Sequence, residues 1–198
     1  MPTRDEQKEQ RRQLIMMKAL ELFAKKGYSD TKIGDIAKAA DMSVGLMFHY
    51  FESKEQLYES LVRMGAEGTN YPLEMNFTNP MDYFEGFLAQ LFQYAAEQPW
   101  VLYMFVLMNQ ARRSDGIPAQ AKQVAMAVDQ IGQSAQIIEA GQQYGYFRQG
   151  DPFALSFTFW SAVQGVMEQL AVTPEMFQEG RSLPEAAWIL DMIRGEKQ

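Results

Sequence analysis

The residues from Ser43 to Tyr50 combine a helix-capping side chain with polar groups that can hydrogen-bond to nucleic acid. Ser43 is a favourable N-cap, and the amides at the start of the helix that follows would attract an anion such as a phosphate. His49 and Tyr50 add polar tips, and Lys54 follows at a spacing that suits a further phosphate contact. The chemistry that this pattern predicts is noncovalent binding of a phosphodiester backbone.

Helical periodicity predicts the elements that must position these groups. Apolar residues recur at helical spacing over about residues 6–26, 32–40 and 44–50, and Ser53 with Gln56 forms a capping box for a fourth helix. Asp41 lies in the turn before the third helix, and Asp tolerates a left-handed turn conformation. Two helices that cross near a right angle need small residues where they touch. We expect that contact to use Ala37, Ala39, Ala40 and Gly45.

These residues resemble the DNA-binding domain of the TetR family of bacterial transcriptional regulators. The resemblance covers about residues 10–60 and rests on Thr31, Ile36-Ala37, Ser43-Val44-Gly45, Phe48-His49-Tyr50 and Phe51-Glu52-Ser53-Lys54-Glu55-Gln56-Leu57. It implies an N-terminal three-helix helix-turn-helix domain, residues 1–54, joined to a larger helical effector-binding and dimerisation domain, residues 55–198. The DNA contacts that it implies are Thr31, Lys32, Ser43, Val44, Gly45, Leu46, Phe48, His49, Tyr50 and Lys54.

The candidate DNA-contact residues depart from the family pattern in ways that affect readout. Phe48 stands where Tyr is usual, and Val44 and Leu46 replace more polar residues. We therefore expect few hydrogen bonds to base edges, with apolar contact to thymine methyls instead. His49 and Lys54 have a second interpretation as ordinary solvated surface groups. The pair Arg112-Arg113 fits a helix-end cap better than a nucleic-acid patch.

The remainder of the chain predicts helices without strands. Helical patterns cover about residues 81–97, 100–113, 119–144, 152–172 and 186–194, and no alternating strand pattern occurs. The predicted class is all-α with about nine helices. The segment 151–172 is apolar nearly all round, so we expect it to be buried on both sides. The family resemblance implies that this helix and residues 184–195 pair with their copies as a four-helix bundle in a homodimer.

Composition excludes several kinds of chemistry. The chain has no Cys and one His, so thiol chemistry and a His cluster for a metal are excluded, and no Gly-rich phosphate loop occurs. We expect no cofactor, no metal and no enzymatic activity. The net charge of −7 lies entirely in residues 61–198, while residues 1–60 are neutral. A polar N-terminus and a short longest apolar run, Trp100–Met108, predict a cytoplasmic protein without membrane segments.

Soft, bulky side chains in the larger domain have two interpretations. They can line an effector pocket, because Met and aromatic groups adapt to apolar or flat ligands, or they can form a packed core. These residues are Met64, Trp100, Tyr103, Met104, Met108, Met126, Phe157 and Trp160. No cationic cluster is evident among them, so we expect a neutral, cationic or hydrophobic effector and not a multiply charged anion.

The sequence thus favours a ligand-responsive transcriptional regulator. We expect a repressor that binds a palindromic DNA operator as a homodimer and is released by a small hydrophobic or aromatic effector. The alternative is a helical ligand-binding or scaffold protein without DNA-regulatory activity. An enzyme is a remote third class, since no catalytic constellation is present.

Overall fold

The computed structural model describes residues 3–70, 78–173 and 184–195, and these residues form ten helices. They are α1 Arg4–Lys26, α2 Ile33–Ala39, α3 Val44–Met47, α4 Lys54–Asn70, α5 Pro80–Glu97, α6 Trp100–Arg113, α7 Ala119–Met126, α8 Gln130–Gln142, α9 Pro152–Val172 and α10 Ala186–Leu190. Pairing of extended backbone in these residues is confined to one isolated antiparallel bridge, between Phe147 and Arg194. The all-α prediction is confirmed. None of the ten described helices combines the length and the hydrophobicity needed to cross a lipid bilayer.

The chain divides into two compact units. Unit 1 comprises residues 1–66 and 103–127, and unit 2 comprises residues 67–102 and 128–198. This division follows from packing alone. It does not test the functional boundary between residues 54 and 55, which stays a prediction.

Unit 1 is built on the buried face of α1. Ile15, Leu20 and Phe23 are fully buried there, at helical spacing. Helix α2 packs against α1, and α3 packs against α2. Ala37 and Ala40 are buried as expected.

Two of the four small residues expected at the helix contact lie elsewhere. Ala39 and Gly45 are exposed, so that part of the expectation is wrong. Helix α2 has only seven residues and turns one narrow face inward, which places Ala39 on the solvent side. Gly45 lies in the solvent-facing first turn of α3.

Unit 2 is helical and has its own aromatic core. Helix α8 packs along α9, α5 packs on α8, and α10 contacts both α5 and α9. At its centre the Phe84 ring meets the rings of Phe147 and Phe159 edge to face, at centroid distances of 5.4 and 5.0 Å. Such T-shaped pairs add about 1 kcal/mol each beyond the burial of apolar area.

The single helix predicted over residues 119–144 is two helices. Helix α7 ends at Met126, and Asp129 then caps α8 by accepting a hydrogen bond from the Gly132 amide at 2.8 Å. An Asp side chain that captures a free amide starts a new helix more readily than it continues an old one. The predicted helix over 186–194 is also shorter, since α10 ends at Leu190. The sequence Ser182-Leu183-Pro184-Glu185 also predicts a capping box before this helix, but Ser182 lies outside the described residues.

Helix α9 does not meet the expectation of burial on both sides within one chain. Its inner face is buried through residues such as Phe159, Val163 and Met167. Its outer face leaves Phe153 and Phe157 more than half exposed, at 55% and 54%. A second surface would be needed to cover them.

Candidate nucleic-acid interface

The turn that presents α3 has the geometry that its residues predict. Asp41 adopts a positive φ of 53°, the one such case among the described residues other than Gly. The Oγ atom of Ser43 accepts a hydrogen bond from the Leu46 amide at 3.1 Å, which confirms Ser43 as the N-cap. The helix itself covers only Val44–Met47, and residues 48–50 continue it as a turn. The Tyr50 amide, for example, donates to the Met47 carbonyl at 2.9 Å.

The outer surface of this turn is mostly apolar. Val44, Leu46 and Phe48 are 38%, 41% and 47% exposed, whereas Met47 is fully buried and anchors the turn from beneath. His49 is exposed beside them and Tyr50 is half-buried. Large apolar side chains held at the surface of a short helix suit contact with thymine methyls in a major groove.

Gly45 leaves the backbone of α3 open to a close approach. A Cβ atom built there would meet nothing nearer than the Ser43 Oγ at 4.0 Å. Nothing in the protein therefore requires Gly at this position on steric grounds. A missing side chain on the outer surface does allow another molecule to reach the α3 backbone.

Thr31 requires a correction as a DNA contact. Its side chain is fully buried, and its hydroxyl donates to the Gly27 carbonyl at 2.7 Å. The hydroxyl thus satisfies a free carbonyl at the end of α1, and its burial keeps it from DNA. The neighbouring Lys32 is exposed, and its ammonium group makes no ion pair within the described residues. Lys32 is thus free to meet a phosphate.

Lys54 has a structural role that the sequence did not reveal. Its Nζ donates to the backbone carbonyls of Tyr28 at 2.9 Å and Thr31 at 3.1 Å. The same atom lies 4.1 Å from the centroid of the Tyr28 ring. The first turn of α4 is therefore tied to the loop that leads into α2. Two of the three N–H donors of the ammonium group are used in these hydrogen bonds. The phosphate contact expected of Lys54 stays a prediction.

The Tyr28 ring extends this tie into the core of unit 1. Its hydroxyl donates to a Glu55 carboxylate oxygen at 2.8 Å, and its ring meets the Tyr58 ring edge to face at 4.8 Å. The pKa of Tyr28 is raised above its usual value, mainly by burial and secondly by the hydrogen bond to Glu55. Burial likewise raises the pKa of Tyr58 to about 12. The pKa of Glu55 is lowered, first by a hydrogen bond from its own backbone amide and then by the Tyr28 hydroxyl.

A cleft in unit 1, which the sequence did not predict, borders the outer surface of α3. It has a volume of about 630 Å³ and joins the first turns of α1 to the α3 region. Its lining residues are Arg4, Asp5, Gln7, Lys8, Arg11, Leu46, His49 and Tyr50. The sequence does contain a pattern that could have indicated this cleft, because the basic residues at positions 4, 8 and 11 share one face of α1.

The eight residues predicted to line an effector pocket do not form one group. Met64, Tyr103 and Met108 are half-buried against the core of unit 1, and Met104 is 9% exposed. Trp160 belongs to unit 2, where it is 6% exposed and its Nε1 donates to the Ser134 Oγ at 2.9 Å. Met104 and Trp160 thus fit the packed-core interpretation.

The other three pocket candidates are exposed. Met126 is 64% exposed, Phe157 is 54% exposed and Trp100 is 38% exposed. A ligand pocket buries most of its lining, so the pocket assignment is not supported for Met126 and Phe157. Phe157 is exposed because it lies on the outer face of α9.

A second cleft, in unit 2, has a neutral lining. Its volume is about 620 Å³, and it lies where the start of α5 meets α8. It is lined by Thr78, Asn79, Pro80, Tyr83, Gln133, Gln136, Ile137 and Ala140. None of the eight predicted pocket residues is among them.

The fold and the α2–α3 geometry define a helix-turn-helix DNA-binding regulator. The family model described as "Bacterial regulatory proteins, tetR family" matches residues 15–61. The HTH-type transcriptional repressor NicS of Pseudomonas putida is 26% identical over 153 residues, which cover 73% of this chain and 69% of NicS. Residues 15–61 thus carry the DNA-binding region of the TetR family of bacterial transcriptional regulators.

Solved structures agree with this assignment at the level of the fold. The MbdR regulator from Azoarcus sp. CIB aligns with a TM-score of 0.74 and 21% identity, covering 94% of this chain and 98% of MbdR. AibR, solved in complex with isovaleryl coenzyme A and operator DNA, aligns with a TM-score of 0.65 and 16% identity, covering 91% of this chain and 94% of AibR. The chain is a DNA-binding regulator and not an enzyme, so neither the enzyme nor the scaffold alternative is retained.

Proposed function

We propose that this protein is a repressor that binds a palindromic operator as a homodimer and releases it when a small, uncharged hydrophobic or aromatic effector binds. The observation that carries the proposal is the exposed apolar surface of Val44, Leu46 and Phe48 around a correctly capped α3. A monomer in water gains nothing by exposing three large apolar side chains on one turn. Docked in a major groove, they would be buried against bases.

The outer face of α9 supports the homodimer. Phe153, Phe157, Ser161 and Gly165 recur four residues apart, so they share one helix face, and all four are exposed. Nothing lies within 4 Å of a Cβ atom built on Gly165, so a second helix can approach closely there. Helix α10, which packs on α9, leaves Trp188 58% exposed. A two-fold dimer through these helices would bury both surfaces and present two copies of α3 to successive major grooves.

The effector proposal rests on the methionines beside α4. A Cβ atom on Gly65 would lie 2.7 Å from the sulfur atoms of both Met104 and Met108, so these side chains press on α4 at that point. At the other end of α4, Lys54 holds the loop before α2. A ligand that displaced the two methionines would move Gly65, and the helix would carry the movement about 16 Å to Lys54. Met64 and Tyr103 complete the proposed pocket wall on this side.

The proposal of a repressor follows the function for which NicS is named. The proposal that one protein binds both an effector and an operator follows AibR, which was solved with isovaleryl coenzyme A and operator DNA. A ligand can switch DNA binding only if it prefers one of two conformations, so affinity for DNA and ligand must be linked. Coenzyme A thioesters carry phosphates. The neutral lining of the cleft around Tyr83 supports an uncharged ligand for this chain instead.

The test begins with selection of duplexes from a random-sequence DNA pool by the purified protein. A palindromic consensus, and a complex containing two protein chains per site, would support the homodimeric operator. Neutral aromatic and aliphatic compounds that raise the melting temperature of the protein are then added to the complex. Release of DNA supports the switch, whereas tight ligand binding that leaves DNA affinity unchanged would eliminate it.

A further inference from the structure

We propose that the basic stripe of α1, formed by Arg4, Lys8 and Arg11, is a second DNA-contact surface that holds the phosphodiester backbone beside the groove entered by α3. The inference rests on the proposed DNA-binding function and extends it to an element outside the helix-turn-helix. Its occupant is the backbone of the operator duplex, and its contribution is independent of base sequence.

The first observation is that the three cations have no ion-pair partner among the described residues. Arg4, Lys8 and Arg11 are exposed, and none makes an ion pair with a described residue. The adjacent Arg12 differs, because its guanidinium lies 3.9 Å from Glu9 and 5.1 Å from the centroid of the Phe51 ring. In the first turns of α1, Arg12 thus contacts other described residues, whereas the three cations of the stripe make no such ion pair.

The second observation concerns the acidic residues of the same helix. The Glu6 carboxylate accepts a hydrogen bond from the Thr3 amide at 2.6 Å, and Glu9 contacts Arg12. Asp5 is the acidic residue that lines the cleft with the three cations, which leaves a surplus of two positive charges there. The zero net charge of residues 1–60 conceals this segregation.

The third observation is continuity with the DNA-reading surface. The cleft that contains the stripe is also lined by Leu46, His49 and Tyr50. A duplex whose major groove accepts α3 must place a backbone next to that helix, and the stripe lies on the other wall of the same cleft. From position 4 to position 11 the helix rises about 10 Å, which equals the axial rise of about three phosphates on one strand.

The test compares two variants that remove the same charge. Lys8→Gln/Arg11→Gln removes two cations from the cleft, and Arg63→Gln/Arg113→Gln removes two exposed cations of unit 1 that do not line it. The probe is a duplex selected by the wild-type protein, titrated by fluorescence anisotropy at several salt concentrations. Each lost phosphate contact should lower the slope of log K against log salt by about 0.9.

For Lys8→Gln/Arg11→Gln we expect a slope reduced by about 1.8 and an affinity about 30-fold weaker at 0.15 M salt, both for the selected and for a scrambled duplex. The control should keep the wild-type slope. Asp5→Asn removes the acidic residue of the cleft and should bind the duplex several-fold more tightly. Poor folding cannot produce such a gain in affinity. If the first variant retains the wild-type slope and affinity, or if the control loses as much, the inference is overturned. If the wild-type protein selects no duplex, the proposed function fails instead.

Discussion

The Lys54 ammonium lies above the Tyr28 ring, at 4.1 Å from its centroid, while donating to the Tyr28 carbonyl at 2.9 Å. One side chain therefore holds both the backbone and the ring of a residue 26 positions earlier. This contact joins the start of α4 to the loop before α2, and so connects the helix proposed to report effector binding to the helix pair proposed to read DNA.

Lys54→Ala should lower the stability of the protein as well as its DNA affinity. Loss of two hydrogen bonds from a charged donor and of a cation–π contact is expected to cost about 1–3 kcal/mol in the free energy of unfolding. Lys32→Ala is the matched control, because Lys32 is exposed and makes no ion pair with a described residue, and it should lower DNA affinity with little change in stability. Urea denaturation and anisotropy titration measure the two effects. Equal stability of both variants would refute the structural role of Lys54.

Tyr28→Phe should raise the pKa of Glu55 toward its usual value, since the Tyr28 hydroxyl is one of the hydrogen bonds that lower it. A carboxyl whose folded pKa is lowered stabilises the fold above its unfolded pKa of about 4.3, and loses that contribution as pH falls through the folded value. The stability gap between wild type and Tyr28→Phe should therefore shrink below about pH 4. Carboxyl carbon NMR titration gives the pKa directly. A gap that stays constant from pH 7 to pH 3 would contradict the assigned contact.

Gly141→Ala should destabilise unit 2 although Ala is the better helix former. A Cβ atom there would collide with the ring of Phe147, which is buried and cannot move aside, and would lie 3.3 Å from Pro80. Overpacking of this kind costs about 1–3 kcal/mol. Gly86→Ala in α5 meets nothing within 4 Å, so it should gain about 0.5–1 kcal/mol from helix propensity. Chemical denaturation of both variants tests the prediction, and the same sign for both would contradict it.

Phe157→Glu should convert the proposed dimer to a monomer. A carboxylate on the outer face of α9 would have to be buried against its own copy, which is strongly unfavourable. Tyr144→Glu places the same charge at a site in unit 2 that is 71% exposed and should leave the assembly intact. Sedimentation velocity distinguishes the two masses. A wild-type protein that sediments as a monomer would remove the basis of the prediction.

The sequence was sufficient where structure depends on neighbours in the chain. Ser43 as N-cap, Asp41 as a left-handed turn residue and the buried face of α1 all follow from residues within one or two helical turns. The break after Met126 could also have been predicted, because Asp129 is a good N-cap residue.

The sequence was insufficient where contacts join distant segments. The hydrogen bonds of Lys54 span 23 and 26 residues, and no local pattern distinguishes such a lysine from a solvated one. Thr31 matched a DNA-contact motif, but its burial depends on how the end of α1 folds back over it. The candidate pocket residues were chosen by type alone, and type does not fix which face of a helix they occupy.

Binding of DNA by the outer surface of α3 is tested by the affinity of Leu46→Glu for a duplex selected by the wild-type protein. Leu46 is 41% exposed, so the substitution should leave the fold intact, while its carboxylate would face the phosphates and bases of the groove. Met126→Glu adds the same charge elsewhere in unit 1, at a site that is 64% exposed. We expect the affinity of Leu46→Glu for DNA to fall at least about 100-fold, because a carboxylate would be placed against the charged duplex, and that of Met126→Glu to change less than about threefold. Equal affinity of Leu46→Glu and the wild-type protein would contradict DNA binding by this surface.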